Sequence, residues 1–217
     1  MTELWMVEIP EPGGDESGWR EGLPAFRRGV LAGLKRKEAQ DERANAYALE
    51  AFVLAAWTGI PARELRLQRD GRGKPFLPDF PGLHYSLSHT DGLAFLGVGD
   101  EPVGVDAQRI GPVSSGVVRR CFSEKEAAWC AGSDEACTAV WTRKEAAVKW
   151  TGQGLAQSLR GIDTLSAEWA GRLSTVRHGG WMLSVCRRER MELDSIREAD
   201  AEMLWAFCRE SAAGGTR

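Results

Sequence analysis

At 217 residues, with 43% hydrophobic and 27% charged residues, the chain has the composition of an ordinary globular protein of one or two domains. Its formal net charge of −3 runs against general nucleic-acid binding, which favours a clearly basic domain. No apolar stretch is long enough to cross a bilayer, and MTELWMVEIPEPGG lacks the basic and apolar regions of a secretory leader. The five cysteines, Cys121, Cys130, Cys137, Cys186 and Cys208, lack the paired short spacing of a zinc site. They read as reduced thiols of a cytoplasmic protein.

In chain order, residues 42–58 are apolar on most sides and read as a buried helix, ended by Gly59-Ile60-Pro61. The proline-rich stretch from Lys74 to Pro81 reads as turns, followed by a strand with Leu83, Tyr85 and Leu87 on one face and His84, Ser86 and Ser88 on the other. This strand pairs with Leu93–Val98 through the turn His89–Gly92. A turn at Gly99–Pro102 leads into a strand ending at Asp106, which completes a three-stranded meander. Ser123 with Glu126 forms a capping box that opens a helix through Ala131, closed by Gly132. A second helix covers 136–151. Ile162–Ser166 and Trp181–Cys186 read as strands, Ser195–Cys208 as a helix, and the tail from Ser211 as frayed. Helices and antiparallel strands mix without βαβ alternation, so the fold class is α+β.

Three segments carry chemistry. In WTRKEAAVKWTGQGL, from Trp141 to Leu155, Glu145 and Lys149 are four apart and share a helix face. Such a pair is either a surface ion pair, worth ~0.3–0.5 kcal/mol, or half of a metal–phosphate site. In PVGVDAQRI, strand alternation puts Val103 and Val105 on one side and Gly104, Asp106 and Gln108 on the other. Gly104 then leaves room beside Asp106 for close approach by a ligand; the plainer reading is a strand-end aspartate that starts a turn. In GKPFLPDFPGLHYSLSH, Lys74, Ser88 and His89 are donors suited to phosphate oxygens. His89 equally caps a strand end.

The order of GKPFLPDFPGLHYSLSH, VGVD, FSEKE and WTRKEAAVKWTGQGL resembles the Sfp-type 4′-phosphopantetheinyl transferases. The likeness extends from Gly73 to Leu155, and the WxxKEAxxK form is similar to the branch in which tryptophan precedes KEA. The resemblance implies two similar α+β halves about a pseudo-twofold axis, residues 1–102 and 103–217, with coenzyme A as substrate in the cleft between them. It implies Mg²⁺, with Mn²⁺ as an alternative, and transfer of the phosphopantetheine arm to a serine of an apo acyl or peptidyl carrier protein.

On that resemblance Asp106, Glu145 and Gln108 are the metal-site residues, and Glu145 and Lys149 the catalytic ones. Lys149 holds the diphosphate, with Lys144 a second candidate for the same task. Lys74 and Pro75 lie at the adenosine end, and Ser88 and His89 contact phosphate oxygens. Lys35, Arg36, Lys37 and Arg43 either grip the 3′-phosphate or form a solvated face. Gln108 stands where many members carry a second acid, which implies a relatively high Mg²⁺ requirement. Its lack of charge is also the one feature that fits a non-catalytic scaffold. Arg119-Arg120 with Cys121-Phe122 is the first candidate for meeting an acidic carrier helix. The carrier could belong to polyketide, nonribosomal-peptide, siderophore or fatty-acid synthesis. Length and the resemblance together imply a broad-specificity monomer of secondary metabolism rather than the short trimeric fatty-acid type, with no membrane or nucleic-acid partner.

Overall fold

The computed structural model describes residues 1–10, 18–154 and 158–214. Leu155 at the end of the lysine–glutamate motif, residues 11–14 of the N-terminal stretch and residues 215–217 of the tail lie outside the described residues. The elements are β1 (Thr2–Glu8), α1 (Ala25–Ala32), α2 (Lys37–Thr58), β2 (Gln68–Arg69), β3 (Pro75–Phe76), β4 (His84–Thr90), β5 (Leu93–Gly99) and β6 (Gly104–Arg109). They continue with α3 (Ser115–Cys121), α4 (Glu124–Trp129), α5 (Asp134–Thr151), α6 (Ala167–Ala170), β7 (Leu173–His178), β8 (Trp181–Cys186), β9 (Ile196–Ala199) and α7 (Ala201–Ala213). The α+β class expected from the sequence is what the chain adopts.

Two main sheets form, ordered β4-β5-β1-β9 and β6-β8-β7. β5 is buried along its whole length because both of its faces are covered. Ala94, Leu96 and Val98 join the core around α2, while Leu93 and Phe95 meet Val103, Val105 and Leu183 in a core between the sheets. On the far face of the second sheet, Ala146, Ala147 and Val148 of α5 pack on Leu173 and Cys186. Each buried Leu or Phe of this kind contributes on the order of 1.5–3 kcal/mol.

The expected hairpin forms, with His84–Thr90 paired antiparallel to Leu93–Gly99. The expected meander does not. β6 pairs with β8 rather than β5, so the chain changes sheets at Pro102. The Ser86 and Ser88 hydroxyls accept the N–H groups of Val105 (3.1 Å) and Ala107 (3.2 Å), so side chains bridge β4 to β6 where no backbone ladder forms.

Ile162–Ser166 is not a strand either, for a physical reason. The Lys144 ammonium takes the carbonyls of Leu159 and Ile162, and the Glu126 carboxylate takes the Thr164 N–H at 2.8 Å. A buried ion pair thus uses the backbone groups that a ladder would need. The expected helix Ser195–Cys208 is instead a strand and then a helix, because Asp200 caps α7 by accepting the Met203 N–H at 2.9 Å. α7 continues to Ala213, through the start of the stretch read as frayed.

β1 has no counterpart among the sequence-derived elements. It pairs antiparallel with β5 and parallel with β9. The end of the chain therefore returns to the first half. Ala199, Leu204 and Cys208 enter the α2 core, and Trp205 Nε1 donates to Asn45 Oδ1 at 2.8 Å. Residues 196–214 pack with the half expected to end at 102.

Candidate active site at the junction of the sheets

β6 alternates as its sequence implies. Val103, Val105 and Ala107 enter the inter-sheet core, while Gly104 and Asp106 face α5. The bare Gly104 does not make room for a ligand, however. A Cβ there would stand 2.1 Å from the Ala146 carbonyl oxygen and 2.3 Å from the Trp150 nitrogen, so the glycine admits the backbone of α5 itself. That close approach brings Lys149 onto Asp106, with Nζ donating to Oδ1 at 2.8 Å.

Asp106 is buried and held from three sides. Ser88 donates to Oδ1 at 2.8 Å and the Gln108 amide donates to Oδ2 at 3.2 Å. Glu145 lies one helical turn before Lys149. Burial raises its carboxyl above the usual range and the Asp106 charge raises it further, while Lys149 lowers it. Two acids 39 positions apart in the chain therefore act on one another, with an ammonium beside both.

α5 ends beside them. Ser133 caps its start, and Gly152 closes it in the left-handed region at φ 65° while donating its N–H to the Val148 carbonyl at 3.0 Å. The Lys74 ammonium reaches across from the first half to the Lys149 carbonyl at 2.8 Å, where it meets the negative end of the helix. Asp70 presents Lys74 by accepting the Arg72 and Lys74 N–H groups, both at 2.9 Å. Burial lowers the pKa of Lys74.

A cavity of about 310 Å³ opens at this point, walled by Gly73, Lys74, Pro75, His89, Lys149 and Gly152. Asp106 and Glu145 stand beyond Lys149 rather than in its wall. Arg27, Tyr47 and Tyr85 also line it and were not singled out from the sequence. Arg27 Nε donates to the buried Glu50 at 2.6 Å, and its guanidinium lies 4.3 Å from the centre of the Tyr47 ring. Glu50, the one charge within residues 44–57 of α2, was the signal for this pair.

The expected residues thus divide. Asp106, Glu145, Lys149 and Gln108 come together, and Lys74, Pro75 and His89 line the adjacent cavity. His89 Nδ1 lies 2.7 Å from Glu42, so its ring is oriented by an acid. Ser88 is a correction: it is buried, and its hydroxyl bonds to Asp106 and to the Ala107 N–H instead of facing a phosphate.

Lys144 is a second correction. It is fully buried, 2.7 Å from Glu126, and points away from its motif neighbours Glu145 and Lys149 into the α4 contact. Burial alone would raise the Glu126 carboxyl. Hydrogen bonds from Lys144, the Ser123 N–H and Thr164 outweigh that and hold it below the usual range. Arg43 is half-buried on α2 and outside the cavity wall, while Lys35, Arg36 and Lys37 are exposed.

Comparison with known proteins agrees with this geometry. The family model described as the 4′-phosphopantetheinyl transferase superfamily matches residues 102–199. The chain is 32% identical over 105 residues to the 4′-phosphopantetheinyl transferase psf-1 of Bacillus pumilus, covering 46% of this chain and 45% of the relative. It is 28% identical over 112 residues to the 4′-phosphopantetheinyl transferase Sfp of Bacillus subtilis (strain 168), covering 49% and 50%. These matches span about half the length of the relatives. With the 4′-phosphopantetheinyl transferase HetI of Nostoc sp. the identity is 30% over 170 residues, covering 72% of this chain and 70% of the relative. A match of that extent, added to the family motifs, decides the matter: the chain belongs to the 4′-phosphopantetheinyl transferase superfamily.

Proposed function

We propose that the chain transfers the 4′-phosphopantetheine group of coenzyme A to a serine hydroxyl of an apo acyl or peptidyl carrier protein, releasing adenosine 3′,5′-bisphosphate. The observation that carries the reading is the convergence of Asp106, Glu145 and Lys149 beside a lysine-walled cavity. The reaction brings a weak nucleophile to an anionic diphosphate, so it needs charge neutralisation and a base.

Asp106 and Glu145 suit Mg²⁺, or Mn²⁺ in its place, because such ions take one or two carboxylates plus phosphate and water oxygens. Two acids whose charges oppose one another also gain from a cation between them. Among the described residues no group of three His, Cys, Asp or Glu gathers, so the other ligands would come from phosphate and solvent. When bound, the ion offsets diphosphate charge and aligns the reacting oxygens.

The side chains have the remaining roles. Glu145, its carboxyl raised toward neutrality by burial and by Asp106, takes the proton of the carrier serine. Lys149 leaves Asp106 to hold diphosphate oxygens on the leaving side. Ser88 and the Gln108 amide fix the Asp106 carboxylate, and Gln108 can alternatively turn its oxygen to the ion. Lys74 and Pro75 bind the adenosine end, with His89, steadied by Glu42, on the phosphates. Lys35, Arg36 and Lys37 are exposed and Arg43 lies outside the cavity wall, which favours the solvated basic face over a grip on the 3′-phosphate.

The exposed Arg119 and Arg120 at the end of α3 form the basic patch for an acidic carrier helix. The enzyme acts as a cytoplasmic monomer on the carriers of polyketide or nonribosomal-peptide synthesis, and its halves are related by a pseudo-twofold axis.

Incubating the purified protein with an apo-carrier, coenzyme A and Mg²⁺ tests the proposal. The carrier should gain the mass of one phosphopantetheine group, and a chelator should prevent the gain. Gln108, in place of a second acid, is the observation favouring a scaffold that binds without reacting. A carrier that binds but keeps its apo mass would establish that reading instead.

A further inference from the structure

On the side of α5 remote from Lys149, three cysteines collect around Phe122 and Val140. They are Cys121 at the end of α3, Cys130 just after α4 and Cys137 in the first turns of α5. Cys130 is buried and Cys137 half-buried. Their sulfurs stand 2.9 Å apart, within one ångström of the ~2.05 Å of a disulfide. The connection between the helices sets this up. The Ser133 N–H donates to the Cys130 carbonyl at 3.1 Å, and the Cys137 thiol lies 3.2 Å from the same oxygen.

We propose that Cys130 and Cys137 form a reversible thiol–disulfide site, oxidised by small-molecule disulfides, that ties the end of α4 to the start of α5. Cys137 is the more accessible sulfur and meets the reagent first. Its thiolate attacks one sulfur of the oxidant and displaces a thiolate, which leaves a mixed disulfide on Cys137. Cys130 then attacks the Cys137 sulfur and gives its proton to the departing thiolate. Two protein thiols are oxidised, and one external disulfide is reduced to two thiols.

The division of labour follows from burial. Desolvation, with the Cys137 thiol beside it, pushes the Cys130 thiol up to about 12, so it is a poor first nucleophile but is placed to resolve the mixed disulfide. The crosslink lies twelve residues, about 18 Å of helix, from Lys149. It therefore bears on how the helix carrying Glu145 and Lys149 is anchored, and leaves the cleft open. The inference is independent of the transfer reaction.

The test uses the whole wild-type chain and glutathione disulfide at neutral pH. Intact mass should fall by two hydrogens, peptide mapping should join Cys130 to Cys137, and dithiothreitol should reverse both. In Cys130→Ser, Cys137 should instead retain a stable glutathione adduct. Unchanged thiols, a link to a different cysteine, or a persistent glutathione adduct on wild-type Cys137 would overturn the proposal.

Discussion

Glu145 and Lys144 are adjacent in the chain and opposite in fate. Glu145 is half-buried beside Asp106 and Lys149, where the proposed transfer calls for a proton acceptor; Lys144 is sealed against Glu126. Glu145→Gln keeps the shape and removes the base. Carrier modification should fall on the order of 10²–10⁴-fold, with the melting temperature little changed. Gln108→Glu should lower the Mg²⁺ concentration for half-maximal rate, because a second charge joins Asp106. An unmoved Mg²⁺ dependence would remove residue 108 from the ion's surroundings.

Lys144→Met leaves the Glu126 carboxylate buried without its cation, and urea unfolding should register a loss of roughly 3–5 kcal/mol. The same pair predicts a pH effect. The folded Glu126 carboxyl lies below its unfolded range, so the folded chain binds fewer protons there. This stabilisation is complete above the unfolded value of about 4.3 and is lost as pH falls into the folded range. A melting-temperature profile should therefore fall in acid, and Glu126→Gln should flatten that limb.

At the scale of elements, α5 against β6 is the contact on which the site rests, and Gly104 is its narrowest point. Gly104→Ala puts a methyl group into the backbone of α5. Stability should drop by about 1–3 kcal/mol or more, and activity should drop with it as Lys149 is moved from Asp106. Equal activity and stability in this variant would contradict the close packing.

The same contact explains what was legible. Alternation along β6 and the four-residue spacing in α5 are local, so Asp106, Gln108, Glu145 and Lys149 could be assigned to faces from sequence. The partners of Lys144 and Ser88 are 18 residues away in each case, at Glu126 and Asp106, and no periodicity reveals them. β1 and β9 were missed for a related reason. Their pairing joins Leu4 to Ile196 across nearly the whole chain, and only four residues of β9 take part.

At the scale of the molecule, a long helix lies across an antiparallel pairing in two places, α2 on β4 and β5, and α5 on β6 and β8. The cavity lies where the two meet, bridged by the Lys74 ammonium on the Lys149 carbonyl. The chain changes sheets after β5, yet β9 and α7 carry it back to the first sheet and its helix, which sequence order alone does not show. The proposed transfer requires that Asp106 and Glu145, one from β6 and one from α5, share one divalent ion beside that cavity. Mn²⁺ binding followed by paramagnetic resonance, with coenzyme A present, tests it most directly. One tightly bound ion in the wild type, lost in both Asp106→Asn and Glu145→Gln, is the predicted result; full retention of that ion in either folded variant would contradict the account.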